Sequence, residues 1–121
     1  MKQILLVFLG GGIGSVLRFI IGKHLNNPES GIPYGTFAAN VLGSLLIGFI
    51  LGLAAKNGTL STNQTLFLAT GFCGGFTTFS AFAHENYVFL KSGDFISFAL
   101  YTIASFSIGV LAVFFGMYLV K

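Results

Sequence analysis

Long apolar stretches alternate with short polar ones along this chain, and the pattern predicts four helices. A helix needs about 20 mainly apolar residues to cross a bilayer. Short segments rich in Gly, Pro, Asn and Ser separate the apolar stretches, which is typical of turns. The predicted spans are residues 3–22, 34–55, 63–90 and 95–120. We therefore expect an all-α integral membrane protein with a single four-helix transmembrane domain.

Composition excludes an ordinary soluble domain. Hydrophobic residues make up 55% of the 121 residues and charged residues only 7%, whereas soluble domains carry about 25% charged residues. A soluble fold of this size cannot bury so much apolar surface. Cys73 lies in an apolar stretch and is interpreted as a small hydrophobic residue. The net charge of +3 comes from scattered cations, so we expect no nucleic-acid partner.

The cations are divided evenly between the two ends of the predicted bundle. One end carries Lys2, Lys56 and Lys121, and the other carries Arg18, Lys23 and Lys91. The positive-inside rule therefore selects no orientation. Two interpretations stay open: one weakly biased orientation, or insertion in both orientations. The second would let two copies form opposed halves like those that transporters build from inverted repeats.

Two polar side chains within the first and second spans are candidates for function. Arg18 shares a narrow helix face with small residues, where it needs carbonyls, an anion or an aqueous vestibule. The alternative is that Arg18 extends to the membrane interface. Asn40 can donate a hydrogen bond to an anion, or it can join two helices.

The third apolar stretch contains a pair of glycines followed by two β-branched residues. Gly74 and Gly75, followed after Phe76 by Thr77 and Thr78, are a poor sequence for a continuous helix. A break at membrane depth is tolerated only where protein covers it or where it lines a cavity. We expect this helix to be broken near its middle, and the alternative is a kink or a close-packing site.

Aromatic and hydroxyl side chains follow the predicted break. Phe79 and Phe82 lie on one helix face, and the positive edges of their rings can receive an anion, although lipid or core packing is the alternative. Glu85 lies nearer the helix end, within reach of a vestibule. Tyr101 and Ser105 share a face of the fourth span. The acidic residues and histidines show no catalytic or metal-binding spacing, so we expect no enzyme.

The motifs resemble those of a known family. Residues 71–80, which read GFCGGFTTFS, together with Phe82 and Glu85, closely resemble the signature of the Fluc/CrcB fluoride channels. Residues 14–18 and 35–44 resemble the two other family blocks, so the resemblance covers the whole chain. One departure is Ala81, which stands where the family usually has a hydroxyl residue.

The resemblance implies a fold, a function and a set of sites. The fold is an antiparallel, dual-topology homodimer in the plasma (inner) membrane of a prokaryote, with lipid around it. The function is passive export of fluoride, which protects the cytoplasm. A structural sodium ion at the dimer centre would be held by the backbone carbonyls of Gly74 and Thr77. The resemblance assigns Asn40, Phe79, Phe82, Ser80, Tyr101 and Ser105 to the fluoride pore, and Arg18 and Glu85 to the vestibule.

Two other functions remain open at this stage. A small proton-coupled multidrug exporter would suit the size and dual topology, but it needs a titratable carboxylate deep in a span. Glu85 is the one candidate in the sequence, and it lies toward one end of its span. A helper subunit without a pore is the other, and a scaffold has no need for a broken helix.

Overall fold

A computed structural model of the chain describes residues 1–27, 31–56 and 58–120. Parts of two predicted turns (Pro28, Glu29, Ser30 and Asn57) and the cation at Lys121 lie outside the described residues. The elements are α1 (Lys2–Leu25), α2 (Tyr34–Ala55), α3 (residues 62–76), α4 (Phe79–Ser92) and α5 (Phe95–Val120).

Four segments of the described chain are long and apolar enough to cross a membrane. They are Lys2–Leu25, Tyr34–Ala55, Thr62–Ser92 and Phe95–Val120. The third of them comprises α3 and α4 and is bent where the two helices meet. The prediction of an all-α fold with four apolar helices is therefore confirmed.

The break in the third span lies at the β-branched end of the stretch in which it was predicted, just beyond the glycine pair. Gly74 and Gly75 are still helical, and the chain becomes extended at Thr77 (φ −88°, ψ 157°) and Thr78 (φ −150°, ψ 125°). The Thr78 side chain caps α4 by accepting a hydrogen bond from the Ala81 N–H at 3.1 Å. The β-branched pair therefore ends one helix and caps the next.

The helix before the break is irregular in a way that hydropathy did not indicate. The segment Thr62–Thr65 is α-helical, Leu66–Cys73 is π-helical and Gly74–Phe76 is α-helical. A capping box starts it: Ser61 Oγ accepts from the Gln64 N–H at 3.1 Å, and the Gln64 side chain accepts from the Ser61 N–H at 2.9 Å. π-Helical segments often accompany functional sites, and this one leads directly into the break.

Glycines bring α1 against α3, backbone to backbone. A Cβ atom on Gly10 would overlap the Phe67 carbonyl oxygen, and one on Gly14 would overlap the Phe72 carbonyl oxygen. The contacts advance in the same direction along both helices, so α1 and α3 run parallel. Small residues permit such close approach within membranes.

The second parallel pair consists of α2 and α5, which form the most extensive helix contact in the described chain. A Cβ atom on Gly48 would overlap the Val113 carbonyl oxygen, and a Cβ on Gly109 would lie 3.7 Å from Ser44 Oγ. In this register, residues four positions earlier, Asn40 and Ser105, lie at about the same depth. One region of the protein is therefore surrounded by α2, α5 and the break between α3 and α4.

Large apolar side chains cover much of the outer surface. Phe8 is 72% exposed, and similar side chains occur along α1 and α5. Cys73, by contrast, is 1% exposed and belongs to a small core with Ile50 and Ala69. A surface of this kind requires lipid or another protein against it.

Candidate functional site

The amide of Asn40 is bound to the backbone at the helix break. Asn40 Oδ1 accepts from the Thr78 N–H at 2.7 Å, and Asn40 Nδ2 donates to the Thr78 carbonyl at 3.1 Å. In a continuous helix the Thr78 N–H would instead donate to the carbonyl of Gly74, four residues earlier. Asn40 thus stabilises the break and releases the Gly74 carbonyl from its helical donor.

The carbonyl of Thr77 is released in the same way. Its helical donor would be the N–H of Ala81, which donates to Thr78 Oγ1 instead. Two carbonyls near the middle of the 31-residue third span have therefore lost the partners that a helix provides. They are the two carbonyls, of Gly74 and Thr77, that the sequence analysis assigned to a cation.

Arg18 lies at the same break, against a third carbonyl. Its Nε donates to the Gly75 carbonyl oxygen at 3.0 Å, and Ser15 Oγ lies 3.4 Å from the same oxygen. Of the two interpretations of Arg18, the structure supports a carbonyl partner within the protein. Four further N–H donors remain on the guanidinium beside the break.

A groove of about 620 Å³ lies between the break, α2 and α5. It brings together four of the six residues that the sequence analysis assigned to the pore: Asn40, Phe79, Phe82 and Ser105. Among the described residues that line it, none carries a charged side chain. The groove therefore offers dipoles and ring edges to a ligand but no opposite charge that would hold an anion tightly.

Two residues that line this groove carry hydroxyls without hydrogen-bond partners in the described part of the chain. The hydroxyls of Thr102 and Ser105 are buried and have no hydrogen-bond partner among the described residues, and both residues line the groove together with Ser44. The Asn40 amide nitrogen has two N–H groups, of which one is bound to Thr78. Buried donors without partners are rare in folded proteins, so these indicate a ligand.

Two phenylalanine rings form one edge of the groove. The rings of Phe79 and Phe82 have centroids 6.0 Å apart and an interplanar angle of 48°, and Phe82 also lies 5.1 Å from the ring of Tyr101. Phe79 is 79% exposed, so this edge is open in a single chain.

Ser80 and Tyr101, the remaining predicted pore residues, lie elsewhere. Ser80 is exposed, outside the described lining of the groove, with its Oγ 3.3 Å from Thr78 Oγ1. Tyr101 is buried, and its hydroxyl donates to Glu85 Oε1 at 2.7 Å. The Tyr101 proton is thus committed to a carboxylate within the chain.

Glu85 joins a hydrogen-bond network beside a second cavity. Its Oε2 accepts from Thr36 Oγ1 at 2.6 Å, and Thr36 Oγ1 accepts in turn from Asn26 Nδ2 at 3.2 Å. The cavity measures about 370 Å³, and Arg18, Glu85 and Ala81 are among the residues that line it. Arg18 and Glu85, both predicted at a vestibule, therefore share one cavity. At Ala81 this wall carries a methyl group.

Several residues of this region were missed from the sequence. Asn26 and Thr36 were missed because their bond joins the ends of α1 and α2, and Thr78 because its capping role depended on where the break fell. Thr102 lies about 100° around the helix from Tyr101, outside the face used for the prediction. A count of every hydroxyl in the fourth span, whatever its face, was the signal that could have found it.

Comparison with known proteins decides the family. Residues 5–117 match the profile of the family described as "CrcB-like protein, Camphor Resistance (CrcB)". The chain belongs to this family. A family relative in Gloeothece citriformis, named "Fluoride-specific ion channel FluC", is 48% identical over 125 residues, covering 100% of this chain and 98% of the relative. A protein of the same name in Bacteroides fragilis is 44% identical over 123 residues, covering 98% and 96%. One in Chlorobaculum tepidum is 43% identical over 121 residues, covering 100% and 96%.

Family membership and the four apolar helices together locate the protein. Bacterial relatives match it over nearly their whole length, and four helices of the described chain are long enough to cross the membrane. The chain is therefore a multi-pass protein of a prokaryotic inner membrane.

Proposed function

We propose that this chain forms a fluoride-specific channel, through which fluoride leaves the cytoplasm passively. The observation that carries the proposal is the uncharged groove at the helix break, with its unpartnered hydroxyls and open phenylalanine edge. Relatives named fluoride-specific ion channels, at 43–48% identity over nearly their full length, support the same assignment.

The chemistry of the groove suits a small, strongly hydrated anion. Fluoride gives up its water only where donors replace it, and it passes on only where no single site holds it too tightly. The free Asn40 N–H and the Ser105 hydroxyl supply donors, and the ring edges of Phe79 and Phe82 supply weak positive potential. Arg18 in the adjoining cavity attracts anions toward the groove.

The working form in this proposal is an antiparallel homodimer. The released carbonyls of Gly74 and Thr77 lie near the middle of a span, where lipid cannot satisfy them, so protein has to cover them. The exposed ring of Phe79 leaves the groove open in a single chain. A second copy in the opposite orientation would cover the carbonyls and close the groove. The even distribution of cations between the two ends supports that arrangement.

A sodium ion between the two copies completes the proposal. Among the described residues no cluster of His, Cys, Asp or Glu could hold a metal ion, so the ligands would be backbone carbonyls. The carbonyls of Gly74 and Thr77, with the same pair from the second copy, suit a hard monovalent cation. Its role is structural, because it converts the repulsion of facing carbonyl dipoles into attraction.

A proton-coupled exporter is less well supported. Glu85, the carboxylate such a mechanism needs, already accepts hydrogen bonds from Thr36 and Tyr101 on its two oxygens. The names of the relatives favour a channel.

Fluoride efflux from reconstituted vesicles tests the proposal. Vesicles loaded with potassium fluoride are diluted into fluoride-free buffer, and external fluoride is followed with a selective electrode. A channel gives rapid efflux only when valinomycin lets potassium follow, and the efflux is independent of a pH gradient. Efflux that needs a pH gradient, or a rate equal to that of protein-free vesicles, would contradict the proposal.

A further inference from the structure

Thr102 has a hydroxyl that the fold of the described chain does not use. Its Oγ1 is buried and without a hydrogen-bond partner among the described residues. Threonine in a helix usually bonds back to a carbonyl of the preceding turn, and Thr102 does not. An unpaired buried hydroxyl costs free energy that valine, which has nearly the same shape, would avoid.

The position of this hydroxyl is also specific. Thr102 lines the same groove as Asn40, Phe82 and Ser105. Thr102 and Ser105 lie three residues apart on α5, so their side chains are neighbours along the helix surface. The two unpartnered hydroxyls therefore belong to neighbouring residues that line one groove.

We infer that Thr102 is a second anion-binding hydroxyl of the groove, which donates to the permeating ion beside Ser105. This inference rests on the proposed function and deepens it, since it names a specificity-determining residue. Two adjacent O–H groups can bind one small anion together or pass it from one to the other. Because Tyr101 donates to Glu85, Thr102 supplies the donor that Tyr101 does not.

Removing the Thr102 hydroxyl distinguishes a role in the pore from a role in folding. If the hydroxyl serves the pore, its loss leaves the stability unchanged or raises it, whereas if it serves the fold, its loss lowers the stability. Thr102→Val removes the donor and keeps the shape, so fluoride efflux falls by about tenfold, the effect of one hydrogen bond to a charged group. The melting temperature of the purified protein is unchanged or higher, because a buried unpaired hydroxyl has been removed. Thr102→Ser keeps the donor and retains most of the wild-type efflux.

The matched control is Thr65→Val. The hydroxyl of Thr65 donates to the Ser61 carbonyl at 3.0 Å and lies away from the groove, so this variant conducts like the wild type. Efflux, corrected for the amount of protein incorporated, is measured for all four proteins in parallel, together with thermal unfolding in detergent.

The outcomes separate this inference from the proposed function. Wild-type protein that passes no fluoride would overturn both. A conducting wild type with an equally conducting Thr102→Val variant would overturn the inference alone. A lower melting temperature or failed folding of Thr102→Val would also overturn it, since the hydroxyl would then serve the fold. Reduced efflux at undiminished stability, with recovery in Thr102→Ser, supports it.

Discussion

Asn40 and Thr78 are joined by two hydrogen bonds that use both ends of one amide side chain. Because Asn40 Oδ1 and Nδ2 satisfy the N–H and the carbonyl of the same residue (2.7 and 3.1 Å), a single side chain on α2 fixes the break between α3 and α4. Asn40 also lines the groove, so in our proposal it both fixes the break and offers its second N–H to the ion.

Replacing this amide is expected to affect both stability and conduction. Asn40→Ala leaves the backbone N–H and carbonyl of Thr78 without partners in a partly buried region, which costs up to about 1–3 kcal/mol for each unsatisfied group. We expect a lower melting temperature and strongly reduced fluoride efflux. Gln3→Ala, at an exposed amide near the start of α1, is the control. Wild-type stability of Asn40→Ala would contradict the role given to the two bonds.

The phenylalanine pair is tested by removing the rings and keeping apolar bulk. Phe79→Ile and Phe82→Ile are expected to reduce fluoride efflux strongly, because isoleucine has no positive ring edge. Both variants should elute from a sizing column like the wild type. Phe8→Ile, at a similarly exposed ring outside the described lining of the groove, should conduct normally. Unchanged efflux in both pore variants would show that the rings do not contact the ion.

Dual topology predicts that both ends of the protein are found on both sides of the membrane. A C-terminal cysteine tag in a variant lacking Cys73 should be labelled from each side in comparable amounts, because the cations are evenly divided. Two or three lysines added at one end should bias the orientation and lower activity. Co-expression of two forms biased in opposite directions should restore the activity. One-sided labelling of an active protein would rule out dual topology.

The proposed sodium ion is expected to be needed for conduction without driving it. Fluoride efflux should decline after long incubation of the purified protein in a bulky organic cation, because the released carbonyls of Gly74 and Thr77 would repel one another. Sodium returned to both sides should restore efflux, and a sodium gradient should not accelerate it. Full activity, with no sodium detectable by elemental analysis of the purified protein, would remove the ion from the proposal.

Close contact between α2 and α5 predicts a steric defect at Gly48. Gly48→Ala would push a methyl group into the Val113 carbonyl, and crowding of this kind costs about 1–3 kcal/mol. We expect a clearly lower melting temperature. Gly12→Ala, where nothing lies within 4 Å of the added Cβ, should leave the melting temperature unchanged or raise it, since alanine favours helix. Equal stability of the two variants would contradict the close contact between α2 and α5 at Gly48.

Hydropathy was sufficient to predict the helices but not the details of the site. The ends of α2 and α5 match their predicted spans, because length and apolar content alone define a membrane helix. The break was predicted in the stretch from Gly74 to Thr78, and the structure places it at Thr77 and Thr78, the end of that stretch. Intrinsic propensity identified a weak region, whereas the Asn40 amide, distant in sequence, decided where in that region the helix ends.

Side-chain partners were the least predictable feature. Tyr101 and Ser105 share a helix face, yet the Tyr101 hydroxyl donates to Glu85 and the Ser105 hydroxyl has no partner among the described residues. The difference depends on what the neighbouring helices present at each depth. Periodicity in one helix carries no information about the neighbouring helices, so a shared face did not mean shared hydrogen-bond partners.

The π-helical stretch in α3 has a consequence for insertions and deletions. A π-turn spans one more residue than an α-turn, so the segment Leu66–Cys73 has more residues than an α-helix with the same number of turns would need. Deleting one residue there lets the stretch return to α-helical bonding without rotating the helix that follows it. The same deletion within α5 rotates every later residue by about 100°. Natural length variation in the membrane-spanning part of such chains is therefore expected to concentrate between residues 66 and 73.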